Sequence, residues 1–241
     1  MFERIFLVAA AAILLASLVG FVQVWLRIRI GAGLASRSIP YEQEGTGLKR
    51  ILFAGDSTVV GTGVSDPKYS VAGRFGKEFP NYTIDNVAVD GLRLAEFPKT
   101  LEKADVKYDL VMMQVGANDV LRLHNLNKLE NDARRAIRAA KEKTEKVIWM
   151  TSGNLGATEF FPRPIRYYYD FWTRKSRERF LKIAEEENIL YVDLFTSVKD
   201  DPFRKDIEKF YAPDKLHLSD AGYGVWYDQI RKAMKEGRVD F

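Results

Sequence analysis

The sequence of 241 residues contains no cysteine and only two histidines, His124 and His217. Without thiols the chain has no disulfide, no thiolate metal site and no cysteine nucleophile. Two histidines also argue against a multi-histidine metal centre. Charge of one sign is not in large excess, because 37 Lys and Arg residues are interspersed with 33 Asp and Glu residues. A net charge of +4 without a basic stripe argues against nucleic acid as a partner.

Long hydrophobic runs are absent except for one near the N-terminus. Residues 5–26 are almost wholly apolar and are interrupted only by Ser17, Gly20 and Gln23. A helix of about 20 such residues matches the ~30 Å hydrocarbon core of a bilayer. The run is longer than the apolar stretch of a cleavable signal peptide. We therefore expect residues 1–30 to be a single-pass membrane anchor, with a signal peptide as the alternative.

The chain after the apolar run changes character twice. Residues 31–48 contain Gly, Ser, Pro, Glu and Gln without apolar periodicity, which predicts a flexible tether. Residues 49–241 suffice for one domain with its own core. In that domain, short β-branched runs alternate with segments of helical length, which predicts a parallel sheet with helices on both faces. The predicted strands are 50–54, 82–89, 110–115, 147–151 and 189–193, and the predicted helices are 71–79, 94–104, 126–146, 167–187 and 220–235.

Polar residues follow three of the predicted strands. Gly55-Asp56-Ser57 comes after the first strand, Gly91 after the second, and Gly116-Ala117-Asn118-Asp119 after the third. A further motif, Asp214-Lys215-Leu216-His217, lies near the C-terminus. Because the carboxyl ends of parallel strands share one edge of the sheet, and ligands bind there, we expect these motifs to form one site.

The residue types in these motifs are those of a serine esterase. Ser57 is a poor nucleophile until a base takes its proton, and His217 is one of only two candidate bases. Asp214 precedes His217 by three residues, close enough to accept the imidazole Nδ1–H and leave Nε2 facing the serine. The backbone N–H groups of Ser57 and Gly91 and the side-chain amide of Asn118 are plausible donors to an oxyanion. This chemistry requires no metal and no organic cofactor.

The motifs resemble those of the SGNH (GDSL-type) hydrolases, a superfamily of serine esterases and lipases, over about residues 50–235. The resemblance implies a flavodoxin-like, three-layer α/β sandwich with a five-stranded parallel sheet. It also implies that Ser57 is the nucleophile, and that Asp214 and His217 are the acid and base. Gly91 and Asn118 would form the oxyanion hole together with the serine amide. Thr58 stands where the GDSL form of the motif has leucine.

The expected function is hydrolysis of an acyl ester of a lipid or an O-acylated glycan through an acyl-enzyme. Acyl transfer to another hydroxyl is the alternative within enzymes, and a non-catalytic, membrane-tethered binding module is a rival outside them. A mononucleotide binder is a further rival, although the loop at Gly55–Thr58 lacks the glycine run and the lysine of a P-loop. Oligomeric state stays open.

The orientation of the domain rests on two conflicting indications. Arg27, Arg29 and Arg37 follow the apolar run and only Arg4 precedes it, which favours a cytoplasmic domain. Anchored proteins that resemble this family commonly act on envelope lipids or glycans. A difference of one or two charges does not prevent a long domain from crossing. We therefore expect the domain to face the periplasm or the cell exterior.

Three other features allow two interpretations each. Asp56 and Asp119 resemble a carboxylate pair for metal or glycosidase chemistry, but turn hydrogen bonding is the favoured role. His124 is interpreted as part of the loop or helix entry rather than a substrate contact. The aromatic side chains between residues 160 and 172 either line an acyl-chain pocket or pack a helix onto the sheet.

Overall fold

The computed structural model describes residues 2–237, with a five-stranded parallel sheet at its centre. The strands are β1 (Arg50–Gly55), β2 (Thr83–Asn86), β3 (Leu110–Gln114), β4 (Val147–Met150) and β5 (Leu190–Val192). They lie in the order β2-β1-β3-β4-β5, which confirms the predicted sheet. Because β1 pairs with β2 on one side and β3 on the other, the topological switch point lies at the carboxyl end of β1.

Helices cover both faces of the sheet, as the three-layer prediction requires. They are α1 (Phe2–Ala35), α2 (Ser57–Val60), α3 (Val71–Glu78), α4 (Phe97–Thr100), α5 (Ala117–Leu121), α6 (Leu126–Lys141), α7 (Arg163–Glu186), α8 (Ile207–Phe210) and α9 (Asp220–Glu236). Successive strand residues point to opposite faces. Leu52 and Trp149 pack under α6 and α7, whereas Ile51 and Ile148 pack under α3 and α9. The domain therefore has two apolar cores, one on each face.

The predicted helix over 94–104 is wrong as a single element. The structure has the short helix α4 followed by a 3₁₀ turn at Leu101–Lys103. Pro98 lies in the first turn of α4. Proline lacks an N–H and clashes with a preceding helical turn, so the helix begins at Phe97, just before Pro98, and not at Leu94.

The apolar helix α1 is longer than predicted. It continues to Ala35, nine residues beyond the predicted end of the span at Leu26, so residues 31–35 of the predicted tether are helical. The hydroxyls of Ser36 and Ser38 bond the carbonyls of Gly33 and Leu34 and so satisfy the end of the helix. By length and composition α1 is able to cross a membrane.

The second half of α1 and the segment after it lie against the domain. A Cβ atom placed on Gly20 would lie 3.4 Å from Pro162 Cγ, and one on Gly31 would lie 2.9 Å from Asp214 Oδ2. Arg27 donates to the carbonyl of Phe160 at 3.0 Å. Further along, Gln43 pairs with β2 through an antiparallel bridge. Residues 20–35 therefore cross the edge of the domain where the strands end, while the N-terminal half of α1 projects beyond it.

Candidate active site

The turn after β1 positions Ser57. Gly55 ends the strand, and a Cβ atom there would lie 2.0 Å from the Gln114 carbonyl oxygen, so only glycine fits between β1 and β3. Asp56 caps α2, because its Oδ1 accepts from the Thr58 amide at 3.0 Å and from the Thr58 hydroxyl at 2.7 Å. Ser57 is the first residue of α2, with its N–H at the open end of the helix. Thr58 thus binds the aspartate in a way that leucine cannot.

Asp214, His217 and Ser57 form a continuous hydrogen-bonded chain. His217 Nδ1 lies 2.5 Å from Asp214 Oδ2, and His217 Nε2 lies 3.0 Å from Ser57 Oγ. The other carboxylate oxygen of Asp214 accepts from the backbone amides of Leu216 at 3.1 Å and His217 at 3.0 Å. One carboxylate therefore fixes both the fold of the loop and the direction of the imidazole ring.

The environment of Asp214 keeps its carboxyl group ionised. Burial raises the pKa, but the hydrogen bond from His217, its charge and the two backbone amides outweigh burial, and the pKa lies below its usual value. An ionised acceptor at Oδ2 places the proton of neutral His217 on Nδ1. Nε2 is then left with its lone pair toward the Ser57 hydroxyl.

Two further donors face the same space as Ser57. Gly91 has a φ of +74°, a conformation that favours glycine, and its N–H has no hydrogen-bond acceptor among residues 2–237. Asn118 lies in α5, and its Nδ2 donates to the Leu92 carbonyl at 3.1 Å. A side-chain amide has two N–H groups, so this bond orients Asn118 and leaves one donor available. All five predicted site residues border one cavity.

That cavity has a volume of about 460 Å³, within the ~300–1,000 Å³ of small-molecule sites. Its apolar walls include Leu121, Leu155, Phe160, Leu216 and Trp226. Part of the wall was not predicted, because α1 contributes Arg27, Ile28, Gly31, Ala32 and Ala35. The small residues at 31, 32 and 35 were a sequence signal for close packing of this helix, and the prediction placed them in a flexible tether.

The remaining polar residues of the motifs have structural contacts. Asp119 Oδ2 accepts from the Leu94 amide at 3.0 Å, and Asp119 Oδ1 lies 3.1 Å from His124 Nδ1. Asp119 thereby ties the loop after β2 to α5, in keeping with the structural interpretation of both residues. Within residues 2–237, no cluster of three or more His, Cys, Asp and Glu side chains is arranged to hold a metal.

The aromatic segment divides between the two interpretations given above. Phe160 lines the cavity. Phe161 stacks on Tyr169 with ring centroids 4.1 Å apart, and Tyr169 is buried in the core under α7. Tyr167 and Phe171 neither line the cavity nor pack onto the sheet, since they are exposed to solvent.

Asp56 is a buried carboxyl group of the site that forms no ion pair with any of residues 2–237. Burial raises its pKa to about 6, even though the Thr58 hydrogen bonds and the proximity of His217 lower it. Its Oδ2 has no hydrogen-bond partner in the described part of the chain. The native state therefore holds a proton between about pH 4 and pH 6 that an unfolded chain, with a pKa of ~3.9, has released.

Stability should consequently fall as the pH rises through this interval, because the folded state must give up that proton. We expect the free energy of unfolding of the wild type, relative to Asp56→Asn, to decrease by up to about 3 kcal/mol from about pH 4 to pH 7. Asparagine keeps the acceptor for Thr58 but has no charge to bury. Urea unfolding of both proteins in detergent, followed by tryptophan fluorescence across this pH range, measures the difference. A wild type that gains stability over the variant as the pH rises would show that the Asp56 pKa is not raised.

Solved structures share this fold. A lipolytic protein of the G-D-S-L family from Veillonella parvula DSM 2008 has a TM-score of 0.63 and 18% identity, covering 76% of this chain and 97% of its own. TesA has a TM-score of 0.59 and 19% identity, covering 78% and 99%. The acetylxylan esterase Axe2 from Geobacillus stearothermophilus has a TM-score of 0.56 and 24% identity, covering 79% and 95%. No curated protein matches.

The sequence itself gives the stronger assignment. Residues 53–225 match the GDSL-like lipase/acylhydrolase family. This segment is more than two thirds of the chain, runs from β1 into α9, and contains Ser57, Asp214 and His217. The protein is therefore a member of the GDSL-like lipase/acylhydrolase family.

Proposed function

We propose that this GDSL-type hydrolase cleaves an acyl ester with Ser57 as nucleophile, His217 as general base and Asp214 as the group that orients and stabilises the imidazole. The observation that carries the proposal is the hydrogen-bonded chain from Asp214 through His217 to Ser57, with distances of 2.5 Å and 3.0 Å. A histidine held in this tautomer accepts the serine proton during attack, which is what an unactivated hydroxyl requires.

The reaction proceeds in two halves. Ser57 Oγ attacks the carbonyl carbon while His217 Nε2 takes the hydroxyl proton, and the ionised Asp214 stabilises the imidazolium that forms. His217 then gives the proton to the leaving alcohol oxygen, which departs and leaves an acyl-Ser57 ester. Water, deprotonated by His217, attacks that ester and returns the enzyme with a free carboxylic acid.

The negative charge on the carbonyl oxygen is stabilised by donors already in place. These are the backbone N–H groups of Ser57 and Gly91 and the free N–H of Asn118. The unpartnered Gly91 amide supports this role, because an orphaned donor beside a nucleophile is available to a substrate oxygen. The bond from Asn118 to the Leu92 carbonyl supports it too, since it fixes the side chain before the substrate binds.

The acyl group occupies the apolar part of the cavity. Leu121, Leu155, Phe160 and Leu216 line it, and such walls favour a hydrocarbon chain over a hydroxylated group. We infer an acyl ester of a lipid or an O-acylated glycan as the substrate class, with α1 as a single-pass anchor. No metal or organic cofactor takes part in these steps.

Replacement of the nucleophile provides the direct test. Ser57→Ala should lose labelling by a fluorophosphonate and several orders of magnitude in kcat for p-nitrophenyl esters, because no other group forms the acyl-enzyme. Asn118→Ala should lose about 100- to 1000-fold in kcat with a smaller change in KM, since it acts on the transition state. The matched control is Ser152→Ala, which removes another hydroxyl from the same cavity and should keep its labelling. Wild-type rates in Ser57→Ala would contradict the mechanism.

The cavity wall formed by α1 gives a second prediction. A side chain at Gly31 meets Asp214 Oδ2, whereas no atom of the described residues lies within 4 Å of a Cβ atom at Gly33. Gly31→Leu should therefore displace either α1 or the acid, and we expect kcat/KM to fall about 10- to 100-fold. Gly33→Leu, on the same helix two residues away, should retain wild-type activity. Equal activity of the two variants in an ester-hydrolysis assay would show that α1 does not pack against Asp214.

The proposed orientation is outward, with the domain in the periplasm or outside the cell. An esterase for envelope lipids or glycans has its substrates there, and the excess of arginines after the apolar run is too small to prevent translocation. Protease added to intact spheroplasts of a bacterial expression host should digest the domain. Protection that ends only when the inner membrane is opened would place the domain in the cytoplasm.

A further inference from the structure

An exposed apolar surface lies at the start of α7. Tyr167, Tyr168 and Phe171 are 75%, 49% and 54% exposed, and Ile165 is exposed beside them. We call these four residues the α7 patch. Scattered apolar side chains are normal on a protein surface, but four large ones within seven residues form a contiguous patch that marks an interaction site.

The α7 patch is continuous with the place where α1 leaves the domain. Pro162 caps the start of α7 and lies against Gly20, the one buried residue of α1. Arg27 donates to the carbonyls of Glu159 and Phe160, just before α7 begins. The patch and the projecting half of α1 therefore emerge from the same side of the molecule.

The length of the N-terminal half of α1, which projects beyond the domain, indicates where the bilayer surface lies relative to the domain. Phe2 to Val19 are 18 helical residues on the free side of the Gly20 contact, and at 1.5 Å per residue they span ~27 Å, close to the ~30 Å hydrocarbon core. The Gly20 contact with Pro162 thus limits the part of α1 that projects beyond the domain to residues 2–19, whereas the predicted span was 5–26. The Gly20 contact, and the α7 patch beside it, then lie at the membrane surface.

The chemistry of this side of the domain fits that location. Tyrosine and tryptophan concentrate where a protein meets the lipid headgroups, and the α7 patch has two exposed tyrosines. Exposed Arg163 lies in the first turn of α7, and exposed Arg29 lies over the Trp25 ring at 5.3 Å. Cations beside amphipathic aromatic rings suit anionic headgroups.

Beyond the membrane surface, α1 continues directly to the site. From Gly20 to Ala35 it covers ~22 Å, and its last turns supply Ile28, Gly31 and Ala32 to the wall of the cavity that contains Ser57. Phe160 precedes α7 by three residues and lines the same cavity. Apolar residues of α1 therefore reach the cavity that contains the nucleophile.

We propose that the α7 patch inserts into the headgroup region of the bilayer, and that the substrate is an acyl ester of a membrane lipid that reaches Ser57 from that leaflet along α1. The proposal rests on the esterase function proposed above and selects its lipid substrate over a glycan. A lipid that leaves the bilayer beside α1 can keep its acyl chain against Ile28 and Ala32 as it enters the cavity, which limits the exposure of that chain to water.

Membrane insertion of the α7 patch is testable directly, because the natural chain has no cysteine. Tyr167→Cys in the full-length protein is labelled with an environment-sensitive fluorophore and reconstituted in phosphatidylcholine–phosphatidylglycerol vesicles that contain nitroxide-labelled lipid. Leu48→Cys is the control, since Leu48 is fully exposed and precedes β1, on the edge of the sheet away from Ser57. We expect several-fold stronger quenching at 167 than at 48. Equal quenching at the two positions overturns the insertion.

The substrate class has its own measurement. The variant Tyr167→Ser/Tyr168→Ser/Phe171→Ser is compared with wild type and Leu48→Ser on lysophosphatidylglycerol in vesicles and on soluble p-nitrophenyl acetate. We expect the ratio of vesicle to soluble activity to fall at least about tenfold in the triple variant, and also to fall in Tyr167→Ser alone, which removes one exposed ring. An unchanged ratio overturns the proposal, as does a wild type that hydrolyses acetylated xylo-oligosaccharides but no vesicle lipid. A wild type inactive on p-nitrophenyl acetate would instead count against the esterase function.

Discussion

The carboxylate of Asp214 is the interaction on which the site depends. One of its oxygens holds the backbone of the 214–217 loop, and the other holds the His217 ring toward Ser57. The same group sets how closely α1 approaches, because Gly31 lies directly against Oδ2. A loop that lost this carboxylate would lose its turn, its imidazole direction and its contact with α1 together. The conformation of the loop, the orientation of His217 and the position of α1 in the cavity wall therefore all depend on Asp214.

Much of this arrangement follows from a general constraint on parallel sheets. Ser57, Gly91 and Asn118 are far apart in sequence, but each follows a strand, and the carboxyl ends of neighbouring strands meet at one edge. The switch point at β1 opens the space into which they point. The positions of three strand ends and of one C-terminal loop in the sequence were thus sufficient to predict which five residues lie around one cavity. The histidine was easy to choose because the chain has only two.

Other features of the structure could not be predicted from the sequence, because they depend on contacts between distant residues or on a single residue within a regular pattern. The packing of α1 on the domain depends on the absence of side chains at Gly20 and Gly31. The prediction placed Gly20 in the membrane helix and Gly31 in the tether, because hydropathy carries no information about such contacts. The start of α4 at Phe97, three residues after the predicted start at Leu94, depends on one proline inside an otherwise helical pattern. Hydropathy alone also gives no sign that Gly20, inside the predicted span 5–26, is buried against Pro162.

The contribution of α1 to the cavity also changes what counts as the domain. Residues 49–241 contain every group proposed to take part in the chemistry, and a fragment with those limits would keep Ser57, His217 and Asp214. It would nevertheless lack Ile28, Gly31, Ala32 and Ala35, so one side of the cavity would open to bulk water. Its acyl-chain preference would then describe the fragment rather than the native enzyme. For this protein, solubilisation by truncation and faithful measurement of selectivity are incompatible goals.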